Sequence, residues 1–180
     1  MTMKGMACAL GALGVMAAVA APEKVPAEWG RKVKWQESTE VTSRPGILSA
    51  AYMTDGDPRT VASFTQGIEN GGEFSVKFPK PVTVTMVRFM QRGLKATHYR
   101  LWAVPAGTNA AVVVQDRTDE KPISMEWIEL PVNRKVTALR FEGVAGEVGY
   151  RAAFPQIAEF EIYSTDGVPG GIPFVNAPFL

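Results

Sequence analysis

Two acidic segments that lie far apart in the chain carry the residues best suited to chemistry. Residues 54–60 read Thr-Asp-Gly-Asp-Pro-Arg-Thr, and residues 157–163 are acidic and alternate in polarity. Carboxylate and carbonyl oxygens are the ligands that calcium prefers, so the two segments together could enclose a cation. The alternative is a plain tight turn, in which Asp55 caps backbone amides and Gly56 accepts a positive φ.

Catalytic chemistry has few candidates in this sequence. The single histidine (His98) excludes a His-rich metal centre. The single cysteine (Cys8) lies in the N-terminal apolar run that the mature chain is expected to lose, so a Cys-His dyad is excluded as well. No serine stands in a Gly-x-Ser-x-Gly elbow. A glycosidase needs only two carboxylates, about 5–9.5 Å apart. Asp119 and Glu120 form such an acidic pair, but they lie among basic residues, which is typical of a solvated charge cluster. We therefore predict that the protein is not an enzyme, with a carboxylate-based glycoside hydrolase as the weakest alternative.

The amino terminus predicts export. Lys4 precedes an apolar run over residues 5–19, and Ala18-Val19-Ala20 has the small-x-small pattern of a signal peptidase site. A transmembrane anchor is the alternative, but the apolar run is shorter than the roughly 20 residues that span a bilayer. We expect residues 1–20 to be a signal peptide cleaved after Ala20. The mature protein would be secreted or periplasmic, with no membrane span.

The net charge of the chain limits the classes of molecule that it could bind. The chain has 19 basic and 18 acidic side chains, and cleavage would remove Lys4 together with the single cysteine, Cys8. Such a balanced mature chain gives no electrostatic reason to bind nucleic acid or an anionic membrane. A glycan or a glycoprotein surface is the more suitable partner.

Hydrophobic periodicity predicts the fold class. Phe74, Val76 and Phe78 alternate with polar residues, which is the pattern of a strand with one buried face. Similar strands are predicted over 82–89, 99–104, 111–114, 125–130, 136–141 and 160–163. Turn signals at 79–81, 105–109 and 131–133 separate them at hairpin-like intervals. This order predicts an all-β, antiparallel β-sandwich of the jelly-roll type.

The two ends of the mature chain differ from this pattern. Residues 21–44 are polar with two tryptophans, Trp29 and Trp35, and we expect them to lie on the sandwich as an N-terminal lead-in segment. Residues 165–180 are rich in proline and glycine, so long regular structure is excluded. This tail is predicted to be a packing strap or, as the alternative, a docking peptide for a protein partner.

Five short motifs follow one another along the chain: Asp-Gly-Asp-Pro-Arg-Thr at 55–60, Lys-Pro-Val at 80–82, Tyr-Arg-Leu at 99–101, Leu-Arg-Phe at 139–141 and Ala-Glu-Phe-Glu-Ile-Tyr at 158–163. In this order they resemble the discoidin family, the galactose-binding-like jelly rolls that include coagulation-factor type C domains and bacterial carbohydrate-binding modules. The resemblance covers residues 45–164. The resemblance implies a β-sandwich domain and a binding function.

The resemblance also implies a structural calcium ion. Its ligands would be side chains or backbone carbonyls of Tyr52, Asp55, Asp57, Thr60, Ala158 and Glu159. A site filled by protein oxygens leaves no open position for a reacting water, so this ion would hold loops in place and do no chemistry.

By the same resemblance, the ligand is bound by three loops at one end of the sandwich, at 64–72, 91–93 and 144–154. Their candidate contacts are aromatic rings that stack on a sugar and polar groups that bind hydroxyls: Phe64, Gln66, Asn70, Arg92, Tyr150, Arg151 and Phe154. The sequence departs from the family where Ala62 replaces a tryptophan and where His98 lies outside the matching loops. The identity of the sugar therefore does not follow.

We predict a non-catalytic, secreted module that binds carbohydrate and is stabilised by calcium. The alternative is an extracellular protein-interaction, adhesion or scaffold domain, for which Ile68 and Leu94 could be apolar contacts at loop tips.

Overall fold

The computed structural model describes residues 24–34, 40–44, 47–64, 72–146 and 156–166. These residues form short 3₁₀ turns at Ala27–Trp29 and Ala50–Met53 and strands that all pair antiparallel. The strands are β1 (Arg31–Lys32), β2 (Glu40–Arg44), β3 (Ile47–Leu48), β4 (Ser63–Phe64), β5 (Gly72–Gln91), β6 (Ala96–Pro105), β7 (Val112–Thr118), β8 (Trp127–Gly146) and β9 (Ile157–Ser164). No helix within these ranges has the length and apolar character needed to cross a membrane. The predicted signal peptide and most of the tail lie outside the described residues.

Two long strands, β5 and β8, connect the two layers of the sandwich, because each strand pairs with strands of both layers. The first part of β5 pairs with β2 and with the end of β8, which continues to β6 and β7. The second part of β5 pairs with β9 and with the beginning of β8, and β9 pairs with β1. A register shift between Lys77 and Val82 marks the bend. The predicted all-β, antiparallel sandwich is confirmed.

The predicted turns at 79–81 and 131–133 are wrong as hairpin turns, because both lie inside continuous strands. Strands that bend from one sheet to another do so at bulges, where proline is tolerated because its missing N–H is not needed for pairing. Asn133 has a positive φ of 45° and lies at a second register shift, where Val84 pairs with Arg134 and Met86 with Pro131. The turn predicted at 105–109 does separate β6 from β7.

An aromatic cluster fills the space between the sheets. Phe74, Phe89, Tyr99, Phe141 and Phe160 are at most 1% exposed. Phe89 contacts Phe141 edge-on with ring centroids 4.8 Å apart, and Phe74 contacts Phe160 at the same distance. Edge-to-face pairs of this kind stabilise the core beyond the effect of buried area alone.

The N-terminal segment is joined to the sheet through Trp29 and β1. Trp29 is 9% exposed and packs edge-on against Tyr163 of β9, with ring centroids 5.3 Å apart. The hydroxyl of Thr85 donates to the Trp29 carbonyl at 2.6 Å. A Cβ added at Gly30 would lie 2.2 Å from the carbonyl oxygen of Ser164, so this approach requires glycine. Part of the predicted lead-in segment is thus an edge strand of the sandwich.

Candidate functional site

The turn at 55–60 is held by its own oxygens. Asp55 accepts a hydrogen bond from the Asp57 amide at 2.8 Å through Oδ1 and from the Thr60 hydroxyl at 2.9 Å through Oδ2. The Thr60 hydroxyl also lies 2.8 Å from the Asp57 carbonyl oxygen. Gly56 has a φ of +78°, a conformation that glycine adopts without strain. In this exposed turn the Thr60 hydroxyl therefore lies within hydrogen-bond distance of both the Asp55 carboxylate and the Asp57 carbonyl oxygen.

The side-chain carboxylate of Asp57 binds different partners from its backbone carbonyl. Its carboxylate takes two hydrogen bonds from the Arg59 guanidinium, at 2.8 and 2.7 Å, and one from the Arg59 amide. The side-chain hydrogen bond from Arg59 lowers the pKa of Asp57 to about 2. Because the carboxylate is occupied, the carbonyl is the oxygen that Asp57 offers to the turn.

Glu159 on β9 is an acidic residue in an unusual environment, because its carboxylate is buried. It is 3% exposed, and within the described residues neither of its buried carboxylate oxygens has a hydrogen-bond partner. Burial is the main cause that raises its pKa to about 7. The charges of Asp55 and Glu161 add to the increase. The Lys32 charge and the nearby Gly56 amide, which does not reach hydrogen-bond geometry, oppose it. Buried carboxylates without partners are costly, so Glu159 is suited to a cation.

The two acidic segments are brought close together. The 3₁₀ turn Ala50–Met53, which contains Tyr52, packs on β9, which contains Ala158 and Glu159. A bridge between Ala62 and Ile157 joins the residues that follow the turn at 55–60 to the start of β9. Asp55 and Glu159 belong to the two segments joined in this way, and the negative charge of Asp55 raises the pKa of Glu159.

One observation indicates that these residues suit calcium. The two carboxylate oxygens of Glu159 have no hydrogen-bond partner among the described residues, and the oxygen-rich turn at 55–60 lies in the neighbouring segment. Calcium accepts six to eight oxygen ligands, and both carboxylates and carbonyls serve. Within the described ranges no group of three or more His, Cys, Asp or Glu side chains could hold a metal ion. Carbonyl and hydroxyl oxygens would therefore have to complete the shell around Asp55 and Glu159.

A buried ionic network, which the sequence did not indicate, lies next to Glu159 on the same face of β9. Arg88 is 4% exposed, and its Nε lies 2.7 Å from the Glu161 carboxylate. Lys32 and the Tyr163 hydroxyl bind the same carboxylate. Burial alone would raise the pKa of Glu161, but these hydrogen bonds outweigh it and lower that pKa.

Aromatic rings enclose the guanidinium of this network. The Arg88 guanidinium lies 3.9 Å from the ring centroid of Trp127, 5.5 Å from that of Tyr163 and 5.8 Å from that of Trp29. Cation–π contacts of about 2 kcal/mol are typical of such desolvated sites. The network thus fixes the N-terminal segment and β9 to β5.

At the end of the sandwich, residues 92–95 form a short loop between β5 and β6, which we call the platform. Gln91 is fully buried, and its side-chain amide both donates to and accepts from the Ala96 backbone at 3.0 Å. The Arg92 guanidinium donates to the Arg59 carbonyl at 2.7 Å. Leu94 is 38% exposed on the platform. The platform is therefore tied to the turn at 55–60.

The structure places only part of the predicted ligand site. Arg92 is exposed at the predicted end of the sandwich, and Phe64 lies in β4, with only its backbone described. The remaining predicted contacts lie outside the described residues: Gln66, Asn70, Tyr150, Arg151 and Phe154. They stay predictions.

The residues considered for catalysis or metal binding elsewhere are engaged in structural contacts. His98 and Arg100 both bind the Asp116 carboxylate, Arg100 at 2.9 Å. Asp119 accepts from the buried Tyr99 hydroxyl and, at 2.9 Å, from Arg117. Asp119 therefore anchors the core tyrosine as well as standing in a charged loop.

Comparison with known proteins was informative only at the level of structure. No protein-family model and no curated protein sequence matches the chain. The family 32 carbohydrate-binding module of NanJ from Clostridium perfringens, solved with galactose, superposes with a TM-score of 0.56 over 74% of this chain and 98% of that one, at 17% identity. The chain has the galactose-binding-like, discoidin-type fold of these modules.

Two further structures have the same fold. A chitosan-binding module of a chitosanase/glucanase from Paenibacillus sp. IK-5 gives a TM-score of 0.54 at 17% identity over 72% of this chain and 98% of that one. The paired family 32 modules of ZmpB from Clostridium perfringens give 0.59 at 14% identity over 75% of this chain, which spans only 37% of theirs. The resemblance to the discoidin type is confirmed for the fold.

Proposed function

We propose that the protein is a non-catalytic, secreted module that binds carbohydrate through the platform end of the sandwich. The observation that carries the proposal is the combination of a discoidin-type fold with an exposed, fixed arginine at the predicted ligand end. Arg92 uses one guanidinium nitrogen for the Arg59 carbonyl, and an arginine side chain has five N–H donors in all. The other nitrogens can donate to sugar hydroxyls. The export signal predicted at residues 1–20 supports a role outside the cytoplasm.

We further propose that calcium binds between the turn at 55–60 and β9. The carboxylates of Asp55 and Glu159 would supply the charge, and the hydroxyl and carbonyl oxygens of Thr60 and the carbonyls of Tyr52, Asp57 and Ala158 would complete the shell. This ion would neutralise the buried Glu159 carboxylate, which has no partner among the described residues. Its role is structural, because it would join two remote segments of the chain.

A glycan and polysaccharide array tests the binding function. We expect the mature protein in calcium buffer to bind a related set of glycans, with soluble sugar as competitor. Arg92→Ala should weaken binding roughly tenfold, the effect of losing one charge-assisted hydrogen bond. Arg134→Ala, which removes an exposed arginine of β8, is the matched control and should bind as the wild type does.

A blank array from a folded sample would contradict the carbohydrate proposal and favour a protein partner. Binding that is equal in the wild type and in Arg92→Ala would place the site elsewhere on the domain.

A calcium titration of thermal stability tests the ion site. A ligand that binds only the folded state at 100 times its Kd stabilises by about 2.7 kcal/mol, so calcium should raise Tm and a chelator should lower it. Asp55→Ala should remove most of this shift. An equal shift in the wild type and in Asp55→Ala would show that the ion binds elsewhere.

A further inference from the structure

One residue, Gln156, connects the platform to two other segments at the ligand end. Its side-chain Nε2 donates to the Ser63 hydroxyl at 3.0 Å, and its Oε1 accepts from the Leu94 amide at 3.3 Å. Its backbone amide donates to the Leu94 carbonyl at 2.8 Å, and its carbonyl accepts from the Arg92 amide at 2.9 Å. Gln156 itself directly precedes β9. Four hydrogen bonds of a single residue thus hold β4, the platform and the start of β9 together.

The platform is shaped to accept this side chain. Gly93 has a φ of +76°, and a Cβ added to it would lie 1.9 Å from Oε1 of Gln156. Any side chain at position 93 would therefore displace the glutamine amide, besides straining its own backbone. The observed position of the Gln156 side chain therefore requires glycine at 93.

The inner side of the platform is fixed independently by the buried Gln91, which binds the Ala96 backbone in both directions. Gln91 determines how the loop closes on itself. Gln156 instead determines how the loop is placed relative to the neighbouring segments. Both glutamines therefore determine the position of Arg92, which is the first residue of the platform.

We propose that Gln156 is a positioning residue of the ligand end, which holds the platform so that Arg92 is placed before a ligand arrives. The proposal rests on the carbohydrate-binding function proposed above. A binding group that is already ordered does not lose conformational freedom on binding, and this difference appears directly as affinity. Gln156 would thus act on the sugar through Arg92, without touching it.

The test compares three variants of the whole mature protein in calcium buffer, with the glycan identified on the array as ligand. Gln156→Met keeps the volume and removes the side-chain hydrogen bonds to Ser63 and Leu94. Gln156→Glu is the rescue variant, because a carboxylate accepts from both the Leu94 amide and the Ser63 hydroxyl. Gln115→Met is the matched control, since Gln115 makes a comparable side-chain bond, to the Pro131 carbonyl, on β7.

We expect Gln156→Met to weaken glycan binding by roughly tenfold, which is the factor that corresponds to about 1.4 kcal/mol of lost preorganisation. Amide hydrogen exchange should become faster at Leu94, whose amide loses its acceptor, and should change less at Arg92, whose acceptor is the backbone carbonyl of residue 156. Gln156→Glu and Gln115→Met should bind as the wild type does.

The outcomes separate the two proposals. If Gln156→Met binds the glycan as tightly as the wild type does, the positioning role is overturned, whether or not hydrogen exchange at Leu94 becomes faster. Equal loss of affinity in Gln156→Met and Gln115→Met would also overturn it, because the effect would then not be specific to the ligand end. A wild-type protein that binds no glycan would overturn the proposed function, and the positioning role with it.

Discussion

Replacing Glu159 by glutamine should stabilise the calcium-free protein at pH 8. The carboxyl is buried without a described partner, and its pKa is raised to about 7 from the usual 4.5. The folded state therefore binds this proton more tightly than the unfolded state. This protonation contributes roughly 3 kcal/mol to the free energy of unfolding. The contribution is fully present below about pH 4.5 and is lost as the pH rises through about 7. Glutamine carries no charge and avoids the loss.

Urea unfolding of both proteins at pH 5 and pH 8, with chelator present, measures this difference. The wild type should lose stability between the two pH values much more than Glu159→Gln does. Glu120→Gln, at an exposed loop carboxylate, is the matched control and should follow the wild type. Calcium at pH 8 should raise the stability of the wild type and leave that of Glu159→Gln unchanged. Equal pH dependence in wild type and Glu159→Gln would contradict the described environment of Glu159.

Arg88→Met should be among the most destabilising single substitutions on the outer face of the sandwich. It removes the 2.7 Å ion pair with Glu161 and the cation–π contact with Trp127. Loss of one partner of a buried ion pair typically costs about 3–5 kcal/mol, because the other charge remains buried. We expect about 3 kcal/mol here, the low end of that range, since Lys32 and Tyr163 still bind Glu161.

Chemical unfolding of a double-mutant cycle measures this cost. The double variant Arg88→Met/Glu161→Gln should be less destabilised than the sum of its single variants, because no uncompensated buried charge remains. Lys32 also loses its partner, but its side chain is 41% exposed and stays solvated. Arg134→Met, at an exposed position of β8, should change stability by no more than about 0.5 kcal/mol. Additive costs in the cycle, or a cost of Arg88→Met equal to that of Arg134→Met, would contradict the network described above.

The strands could be predicted from the sequence because alternation and β-branched residues are local signals. The bends of β5 and β8 could not, since a proline-rich segment is compatible with both a hairpin turn and a bulge inside a strand. Which of these forms depends on the partner strands β2, β6 and β9, and they are remote in sequence.

The site could be predicted only in outline. Alternation around Val87 and Phe89 assigns Arg88 to a solvent-facing position, yet Trp29 and Trp127 enclose it from distant parts of the chain. Similarly, nothing local identifies Gln156, because its partners are backbone and hydroxyl groups of remote segments. The acidic character of the two segments suggests that they share a cation, but only the resemblance pairs Asp55 with Glu159 as its ligands.

The most direct test of the carbohydrate-binding proposal is an NMR titration of the mature protein, in calcium buffer, with the sugar that competes on the array. We predict chemical-shift changes concentrated at the amides of Arg92, Gly93 and Leu94 and at the side-chain amide of Gln156. Changes concentrated on the outer sheet face around Trp102, or no changes at all, would contradict a carbohydrate site at the platform end.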